Sequence, residues 1–349
     1  MMTHRSAAVF GAYGYTGRFV VTELHKRGWR VILSGRDVDK LSAIGAVHSR
    51  SAVRRASVDD AASLDRALEG ADAVINCAGP FAFTAGPVIE AALRARIPYL
   101  DVAAEIEATL DTFKNYERQA RDAGIVVVPS MAFFGGLGDL LATAALGDWP
   151  CADEISVAYG LDSWKPTPGT RAAGSVSSAR RGGRRLVYAN GSLEHRTDDA
   201  PRTRWSFPAP LGEQLVIAEF TMADTVTISR HVKVPEIRSY MTLAAVEDVV
   251  NERSEQPAAA NGDGRSSQTF LVDVVVRSGN AERRATASGR DIYAISAPLI
   301  VEAAERVTRK PPTPGVYSAG ELFDARDFLQ SLSPEYLAVE SYAKSPAIR

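Results

Sequence analysis

Three glycines near the start of the chain have the spacing of a site that binds a nucleotide. Gly11, Gly14 and Gly17 follow the short apolar run 7–10 and precede the amphipathic segment 19–26. A strand, a tight turn and a helix in this order let the backbone approach a pyrophosphate, and the N–H groups at the helix start face the anion. The spacing G-x-x-G-x-x-G differs from the commoner G-x-G-x-x-G, so a glycine-rich turn that binds nothing is the alternative interpretation. We expect a dinucleotide cradle made of Gly11, Ala12, Tyr13, Gly14, Tyr15, Thr16 and Gly17.

The end of the second predicted strand, 30–36, favours NADP over NAD. Enzymes that use NAD usually carry Asp or Glu about 20 residues beyond the glycine loop, where it binds the ribose 2′-hydroxyl. Here the strand ends in Arg36, and a guanidinium group matches a phosphate. Asp37 could instead reach a ribose hydroxyl, and Arg36 could be a surface cation. The expected 2′-phosphate site of NADP(H) consists of Ser34, Gly35, Arg36 and Lys40.

A second turn of small residues follows the buried run 73–76. Ligands of doubly wound sheets lie at the carboxyl ends of the strands, so this turn is expected beside the nicotinamide half of the cofactor. We interpret Cys77 as a small buried residue, because no Cys-His constellation accompanies it. Asp59 is a candidate for the adenine end, with helix capping as the alternative. The predicted nicotinamide contacts are Asn76, Cys77, Ala78, Gly79 and Pro80.

Hydride transfer also needs a proton donor for the atom that gains negative charge. Tyr99 and Asp101 lie on the next predicted strand, 97–102, and Glu105 follows it; these three residues are the catalytic candidates. Each has a structural alternative: Tyr99 as a core residue, Asp101 as an acceptor for backbone N–H groups, and Glu105 as a favourable charge at a helix N-terminus. Water could also serve as the donor.

The elements that must position these residues alternate regularly. Six predicted strands and intervening helices over residues 1–130 indicate an α/β Rossmann domain, a doubly wound parallel sheet of order 3-2-1-4-5-6. Longer extended stretches over 131–290 predict an α+β domain with a mainly antiparallel sheet for substrate binding or dimerisation. Residues 291–349 are expected to form helices that pack back on the Rossmann domain, including a single helix over 319–332.

These motifs, in this order, resemble the saccharopine dehydrogenase-like (saccharopine reductase-type) NAD(P)-binding oxidoreductase family, which includes trans-acting enoyl reductases. The resemblance implies NADPH-dependent hydride transfer to a C=N bond or an activated C=C bond of a small metabolite or acyl thioester. Ala104 departs from the family pattern, which often has glycine there. The alternative is a non-catalytic NADP(H)-binding sensor or scaffold protein. The matching segments are 11–17, 34–36, 76–81, 99–101 with Glu105, and 129–141.

The composition limits the classes of partner that the protein is expected to bind. Forty basic and 42 acidic residues give a net charge of -2, which offers no reason to expect nucleic acid as a partner. No apolar run has the length of a membrane span, and the His residues lack metal-ligand spacing, so we assign no span and no metal. Two cysteines and no signal-type segment favour a reducing compartment, and we expect a cytoplasmic protein. A small-molecule substrate is expected, and the second sheet is a candidate surface for a homodimer.

Overall fold

The computed structural model describes residues 5–48 and 51–344, with side chains up to residue 341. These residues belong to two compact units, Met1–Ala132 with Ser296–Tyr317, and Phe133–Ile295 with Ser318–Arg349. In chain order the strands are β1 (Ser6–Phe10), β2 (Arg30–Gly35), β3 (Ala52–Arg55), β4 (Ala73–Asn76), β5 (Tyr99–Asp101), β6 (Val126–Val128), β7 (Glu154–Leu161), β8 (Arg185–Ala189), β9 (Ser192–Arg196), β10 (Arg202–Ser206), β11 (Glu213–Ala218), β12 (Glu236–Thr242), β13 (Thr269–Ser278), β14 (Ala281–Arg290), β15 (Gly315–Val316) and β16 (Ala338–Lys344).

The helices are α1 (Tyr15–Lys26), α2 (Val38–Val47), α3 (Ala61–Leu68), α4 (Phe81–Ala95), α5 (Ile106–Ala123), α6 (Gly138–Leu146), α7 (Pro168–Arg181), α8 (Ala223–Ser229), α9 (Leu243–Val250), α10 (Ser296–Arg309), α11 (Ala319–Leu322) and α12 (Ala325–Leu332).

The first unit contains a parallel sheet of order β3-β2-β1-β4-β5-β6, extended by β15 beside β6. The predicted Rossmann order is therefore confirmed. The central strands β4, β5 and β6 are buried along their whole length, as expected for a parallel sheet covered on both faces. The sequence pattern did not indicate β15, because two residues are too short to show a period.

Helix α10 packs on helix α1 of the first unit, and a half-buried network of charges links the two helices. The guanidinium group of Arg27 in α1 lies 2.5 Å from Glu302 and 3.0 Å from Glu305 of α10, and 2.7 Å from Glu23 of its own helix. The segment that starts at Ser318 belongs to the second unit instead. There β16 pairs with β14 and continues the second sheet.

The second unit contains a mixed, mostly antiparallel nine-stranded sheet of order β10-β11-β12-β7-β13-β14-β16, with β8 on β12 and β9 on β8. Within this second sheet, only the pair β12 and β7 is parallel among the described strands. The predicted α+β class with a mainly antiparallel sheet is confirmed. The single helix expected over 319–332 is wrong: Phe323 is extended (φ −112°, ψ 150°) and separates α11 from α12. The side chain of Asp324 then caps α12 by accepting from the Asp327 N–H.

Candidate cofactor site

The glycine loop is closely packed, with little room for side chains. Gly11 has φ +84°, and a Cβ atom on it would lie 2.8 Å from the Ala78 nitrogen. A Cβ atom on Gly17 would lie 2.3 Å from the Gly11 carbonyl oxygen. Gly14 donates its N–H to the same oxygen (3.0 Å) and precedes the first turn of α1. The loop thus forms a cradle that side chains would fill, which fits the approach of a pyrophosphate to backbone N–H groups.

The end of β2 joins this loop and carries a buried hydroxyl group. The Ser34 carbonyl oxygen accepts from the N–H groups of Gly11 (2.8 Å) and Ala12 (3.3 Å). The Tyr13 ring covers Gly35, where a Cβ atom would lie 2.8 Å from ring carbon Cε1. Ser34 Oγ is buried and has no hydrogen-bond partner within residues 5–48 and 51–344. A buried polar atom without a partner is costly, so this hydroxyl group fits a site completed by a ligand.

Three cations surround this strand end. Arg36, Lys40 and Arg55 are exposed, and Arg55 Nε donates to the Arg36 carbonyl oxygen (3.2 Å). Lys40 Nζ lies 3.1 Å from an oxygen of Asp37 and 5.7 Å from the centre of the Tyr13 ring. Sequence reasoning missed Arg55. Its signal was available, because the order β3-β2-β1 places the end of the third strand beside Arg36, and Gly35 pairs with Arg55.

The two aspartates before α3 have different roles. Asp60 caps the helix, since its side chain accepts from the Ser63 N–H (3.1 Å). Asp59 is exposed and accepts from the Ser57 hydroxyl group (3.2 Å). The contact of Asp59 with the adenine end stays a prediction.

The turn after β4 is held by Asn76, which is fully buried. Its side-chain oxygen accepts from the Ala78 N–H (3.0 Å), and its amide group donates to Thr84 Oγ1 (3.3 Å) and to the Tyr99 hydroxyl group (3.2 Å). Cys77 is half-buried and not fully buried as expected, and desolvation of its thiol together with the nearby Asp101 raises the pKa of that thiol. A raised pKa disfavours the thiolate that nucleophilic chemistry needs. Asn76 thus acts as the brace of the turn that contacts Gly11.

Tyr99 and Asp101 form a buried pair below this turn. The Tyr99 hydroxyl group donates to one Asp101 oxygen (2.9 Å), and the other oxygen accepts from the N–H groups of Ala103 (2.9 Å) and Ser130 (2.7 Å). Burial raises the pKa of Asp101 to about 6, against the lowering effect of these donors. Burial also raises the pKa of Tyr99 well above its ordinary value. The pair holds the backbone at the ends of β5 and β6.

The contacts of Glu105, like those of Tyr99 and Asp101, hold the backbone in place. Its carboxylate oxygens accept from the N–H groups of Phe81 (2.7 Å) and Ala82 (3.1 Å), the first residues of α4. Burial raises the pKa of Glu105, while the two N–H groups oppose that shift. The structure therefore brings Tyr99, Asp101 and Glu105 to the predicted edge of the sheet. Their catalytic role stays a prediction, and their contacts favour positioning.

No group of three or more His, Cys, Asp or Glu side chains within residues 5–48 and 51–344 could hold a metal ion. His231 instead contacts Asp139 (2.7 Å) in the second unit. Burial lowers the pKa of His231, but the hydrogen bond to Asp139 and the charges of Asp139 and Glu321 together outweigh burial, so that the pKa is raised. Among the described residues, no helix combines the length and apolar character that a bilayer span requires.

Comparison with known proteins agrees with this geometry. Residues 7–128 match the family model of the saccharopine dehydrogenase NADP binding domain. A saccharopine dehydrogenase-like oxidoreductase of Mus musculus is 27% identical over 145 residues, covering 36% of this chain and 33% of the relative. The resemblance stated from the motifs is confirmed for the first unit, and the match supports NADP(H) as the cofactor.

The likeness in fold extends further than the likeness in sequence. The apo structure of a saccharopine dehydrogenase (L-Glu forming) from Saccharomyces cerevisiae is similar with a TM-score of 0.67, over 97% of this chain and 100% of that chain. Their sequences are 11% identical, so this match concerns the fold alone. The chain spans about a third of the length of the curated relatives that it matches.

The expectation of a cytoplasmic protein is contradicted by the names of two relatives. A protein of Caenorhabditis elegans, 29% identical over 139 residues (36% of this chain, 33% of the relative), is named a lipid droplet localized protein. A protein of Arabidopsis thaliana, 28% identical over 140 residues (36% of this chain, 31% of the relative), is named a probable mitochondrial saccharopine dehydrogenase-like oxidoreductase. The inference failed because cysteine usage reports on redox conditions, and a reducing environment does not single out one compartment.

Proposed function

We propose that the protein is an NADPH-dependent oxidoreductase that delivers hydride to a C=N bond or an activated C=C bond of a small metabolite or acyl thioester. One observation carries the proposal: the glycine cradle adjoins a buried Ser34 hydroxyl group, which has no partner in the described part of the chain, beside exposed Arg36 and Arg55. This combination suits a pyrophosphate and a 2′-phosphate on one ligand. The match of residues 7–128 to an NADP binding domain supports the same cofactor.

Each part of the proposed site has a physical task. Backbone N–H groups of the loop 11–17 would bind the pyrophosphate, and Ser34, Arg36 and Lys40 would bind the 2′-phosphate. The turn 76–80, braced by Asn76, would orient the nicotinamide ring. Bound NADPH supplies the hydride. Positioning the acceptor carbon against the ring accounts for much of the rate enhancement in such reactions.

A specific observation supports the alternative, a non-catalytic NADP(H) sensor or scaffold. All three candidate proton donors are at most 5% exposed, and the described contacts of their side chains lie within the first unit. An oxidoreductase would then take the proton from water, whereas a sensor would need no donor.

Calorimetric titration with NADPH and, separately, NADH is the first test. We expect clear binding of NADPH and weak binding of NADH. Oxidation of bound NADPH in the presence of a panel of imines and enoyl thioesters would then support the enzyme, while tight binding without turnover would support the sensor. Binding of neither nucleotide would contradict both functions.

We also propose that two copies of the chain pair through the sheet of the second unit. Leu215 on β11 is 52% exposed on that sheet, so it is a position at which the proposed surface can be tested. Analytical ultracentrifugation at several concentrations tests this proposal. Replacing Leu215 with Glu should dissociate the dimer, and a monomeric wild-type protein would contradict it.

A further inference from the structure

The residue at the centre of this inference is Phe83, in the first turn of α4. It is 61% exposed, whereas Phe81, two residues earlier, is 7% exposed. A single apolar side chain at a surface is common and by itself means little. What distinguishes Phe83 is the part of the sheet at which it lies.

Phe83 follows directly on the turn that adjoins the glycine loop. The Phe83 N–H donates to the Pro80 carbonyl oxygen (3.1 Å), which ties the residue to the 76–80 turn. Ala78 of this turn lies against Gly11, where a Cβ atom would approach to 2.8 Å. Phe83 is therefore at the carboxyl edge of the parallel sheet, on the side of β4 where the nicotinamide ring is expected.

The chain segment around Phe83 is uncharged. The segment 73–89 contains no Asp, Glu, Lys or Arg. Its exposed or half-exposed members near Phe83 are Gly79, Ala82, Gly86 and Pro87. Over 102–107, the partly exposed residues are Val102, Ala104 and Glu107, while the carboxylates of Asp101 and Glu105 are buried.

The start of α4 is also rigidly held. Both oxygens of Glu105 accept backbone N–H groups of α4, from Phe81 at 2.7 Å and from Ala82 at 3.1 Å. A ring on a fixed helix turn loses little freedom when a ligand packs on it, so it contributes to binding more efficiently than a ring on a mobile loop.

We infer that Phe83 is a specificity-determining residue, which packs against an apolar group next to the bond that receives the hydride. The inference rests on the proposed oxidoreductase function and deepens it by naming the substrate class. An uncharged edge with an exposed aromatic ring suits an apolar acyl or alkyl group. It offers no cation of its own to a carboxylate beside the reacting bond.

The test compares the wild-type protein with Phe83→Ala and Phe83→Leu, and uses Val250→Ala as a matched control. Val250 is 69% exposed in the second unit, so its truncation removes an exposed apolar side chain elsewhere. The probe is the octanoyl thioester of N-acetylcysteamine, titrated by calorimetry onto each protein saturated with NADP⁺. The KM for enoyl thioesters of increasing chain length, measured with NADPH, is a second readout.

We expect Phe83→Ala to weaken binding of the octanoyl probe by about tenfold or more, with unchanged affinity for NADPH. Phe83→Leu should retain most of the affinity, and Val250→Ala all of it. The penalty of Phe83→Ala should grow with chain length. Equal probe binding by the wild-type protein and Phe83→Ala, or no probe binding by the NADP⁺-loaded wild type, would overturn the inference. An equal loss of NADPH affinity in Phe83→Ala would also overturn it, because Phe83 would then contact the cofactor. Failure of the wild type to bind NADPH at all would instead overturn the proposed function itself.

Discussion

The two ends of the proposed cofactor site handle charge in opposite ways. At the ends of β2 and β3, Arg36, Lys40 and Arg55 are exposed to solvent. At the ends of β4 and β5, the turn 76–80 and the start of α4 contain no charged residue, and the carboxylates of Asp101 and Glu105 are buried. An exposed cation is solvated by water until an anion replaces that water, so it can serve as a binding group. A buried carboxylate needs partners at all times.

The difference shows how to separate binding groups from structural ones. Each buried carboxylate here accepts two backbone N–H groups, which fixes the ends of strands and the start of α4. A raised pKa at such a position reflects burial as much as catalysis. Buried residues with shifted pKa values therefore indicate where the site is, whereas the hydrogen-bond partners of each residue indicate what it does there.

Gly17→Ala should have the largest effect, because it disturbs the loop that joins both ends. The new Cβ atom would lie 2.3 Å from the Gly11 carbonyl oxygen, and Gly11 contacts both Ser34 and Ala78. We expect an overpacking cost of about 2 kcal/mol in the free energy of unfolding, and a loss of affinity of about a hundredfold for NADPH and NADH alike. Chemical denaturation and calorimetry measure the two effects.

The matched control for this change is Gly174→Ala in α7, where an added Cβ atom meets no atom within 4 Å. It should leave nucleotide binding unchanged and stabilise the helix by up to about 1 kcal/mol. Wild-type affinity in Gly17→Ala would show that the loop does not bind the nucleotide.

Arg36→Asp should affect only binding at the charged end of the proposed site, where the 2′-phosphate is expected. A charge-assisted hydrogen bond is lost, and Asp repels the 2′-phosphate. Together these changes should lower the affinity for NADPH by about a hundredfold, or about 3 kcal/mol. NADH, which lacks that phosphate, should bind nearly as before. Arg30→Asp at the opposite end of β2, where Arg30 is also exposed, is the control. Equal losses for both nucleotides in Arg36→Asp would remove the argument for a 2′-phosphate site.

Asp101→Asn tests the buried end through pH. Burial raises the pKa of Asp101 to about 6 in the folded state, against about 4 in an unfolded chain. The folded state therefore binds the proton more tightly, and the contribution of Asp101 to stability falls as pH rises from 4 to 6. Relative to Asp101→Asn, the wild type should lose about 2 kcal/mol of unfolding free energy over this range. Denaturation curves at a series of pH values measure it, and a flat difference would mean that Asp101 has an ordinary pKa.

Ser34→Ala should have the smallest effect. It should raise the stability of the free protein and lower the affinity for NADPH. Removing a buried hydroxyl group that has no described partner should stabilise the free protein by about 1 kcal/mol. The substitution should lower the affinity for NADPH by about fivefold, because one hydrogen bond to the 2′-phosphate is lost. Thermal melts with and without NADPH reveal both changes.

The control is Ser63→Ala, since Ser63 Oγ is buried but accepts from the Ser57 N–H (3.0 Å) and donates to the Asp60 carbonyl oxygen (2.6 Å). It should destabilise the free protein by about 1 kcal/mol and leave NADPH binding unchanged. If Ser34→Ala destabilises the free protein in the same way, the Ser34 hydroxyl group is a structural group and not part of the ligand site.

Local spacing was sufficient to predict the turn of the glycine loop, and the alternation of six strands with helices was sufficient to predict the order of the Rossmann strands. The glycines at 11, 14 and 17 act on their own turn and helix, and a turn or a short helix depends mainly on residues close together in the chain. Because the strands of such a sheet are parallel, the carboxyl ends of β4 and β5 could also be assigned to one edge of the sheet before any contact was known.

Only the tertiary structure showed which of the polar residues at that edge are already engaged. The contact of Asp101 with Ser130, the placement of Arg55 beside Arg36, and the exposure of Phe83 next to buried Phe81 all depend on neighbours that are distant in the chain or on the exact path of a turn. Burial and hydrogen bonding are properties of a residue's surroundings in space. Residue types can therefore indicate where chemistry could occur, but packing decides which side chains remain available for it.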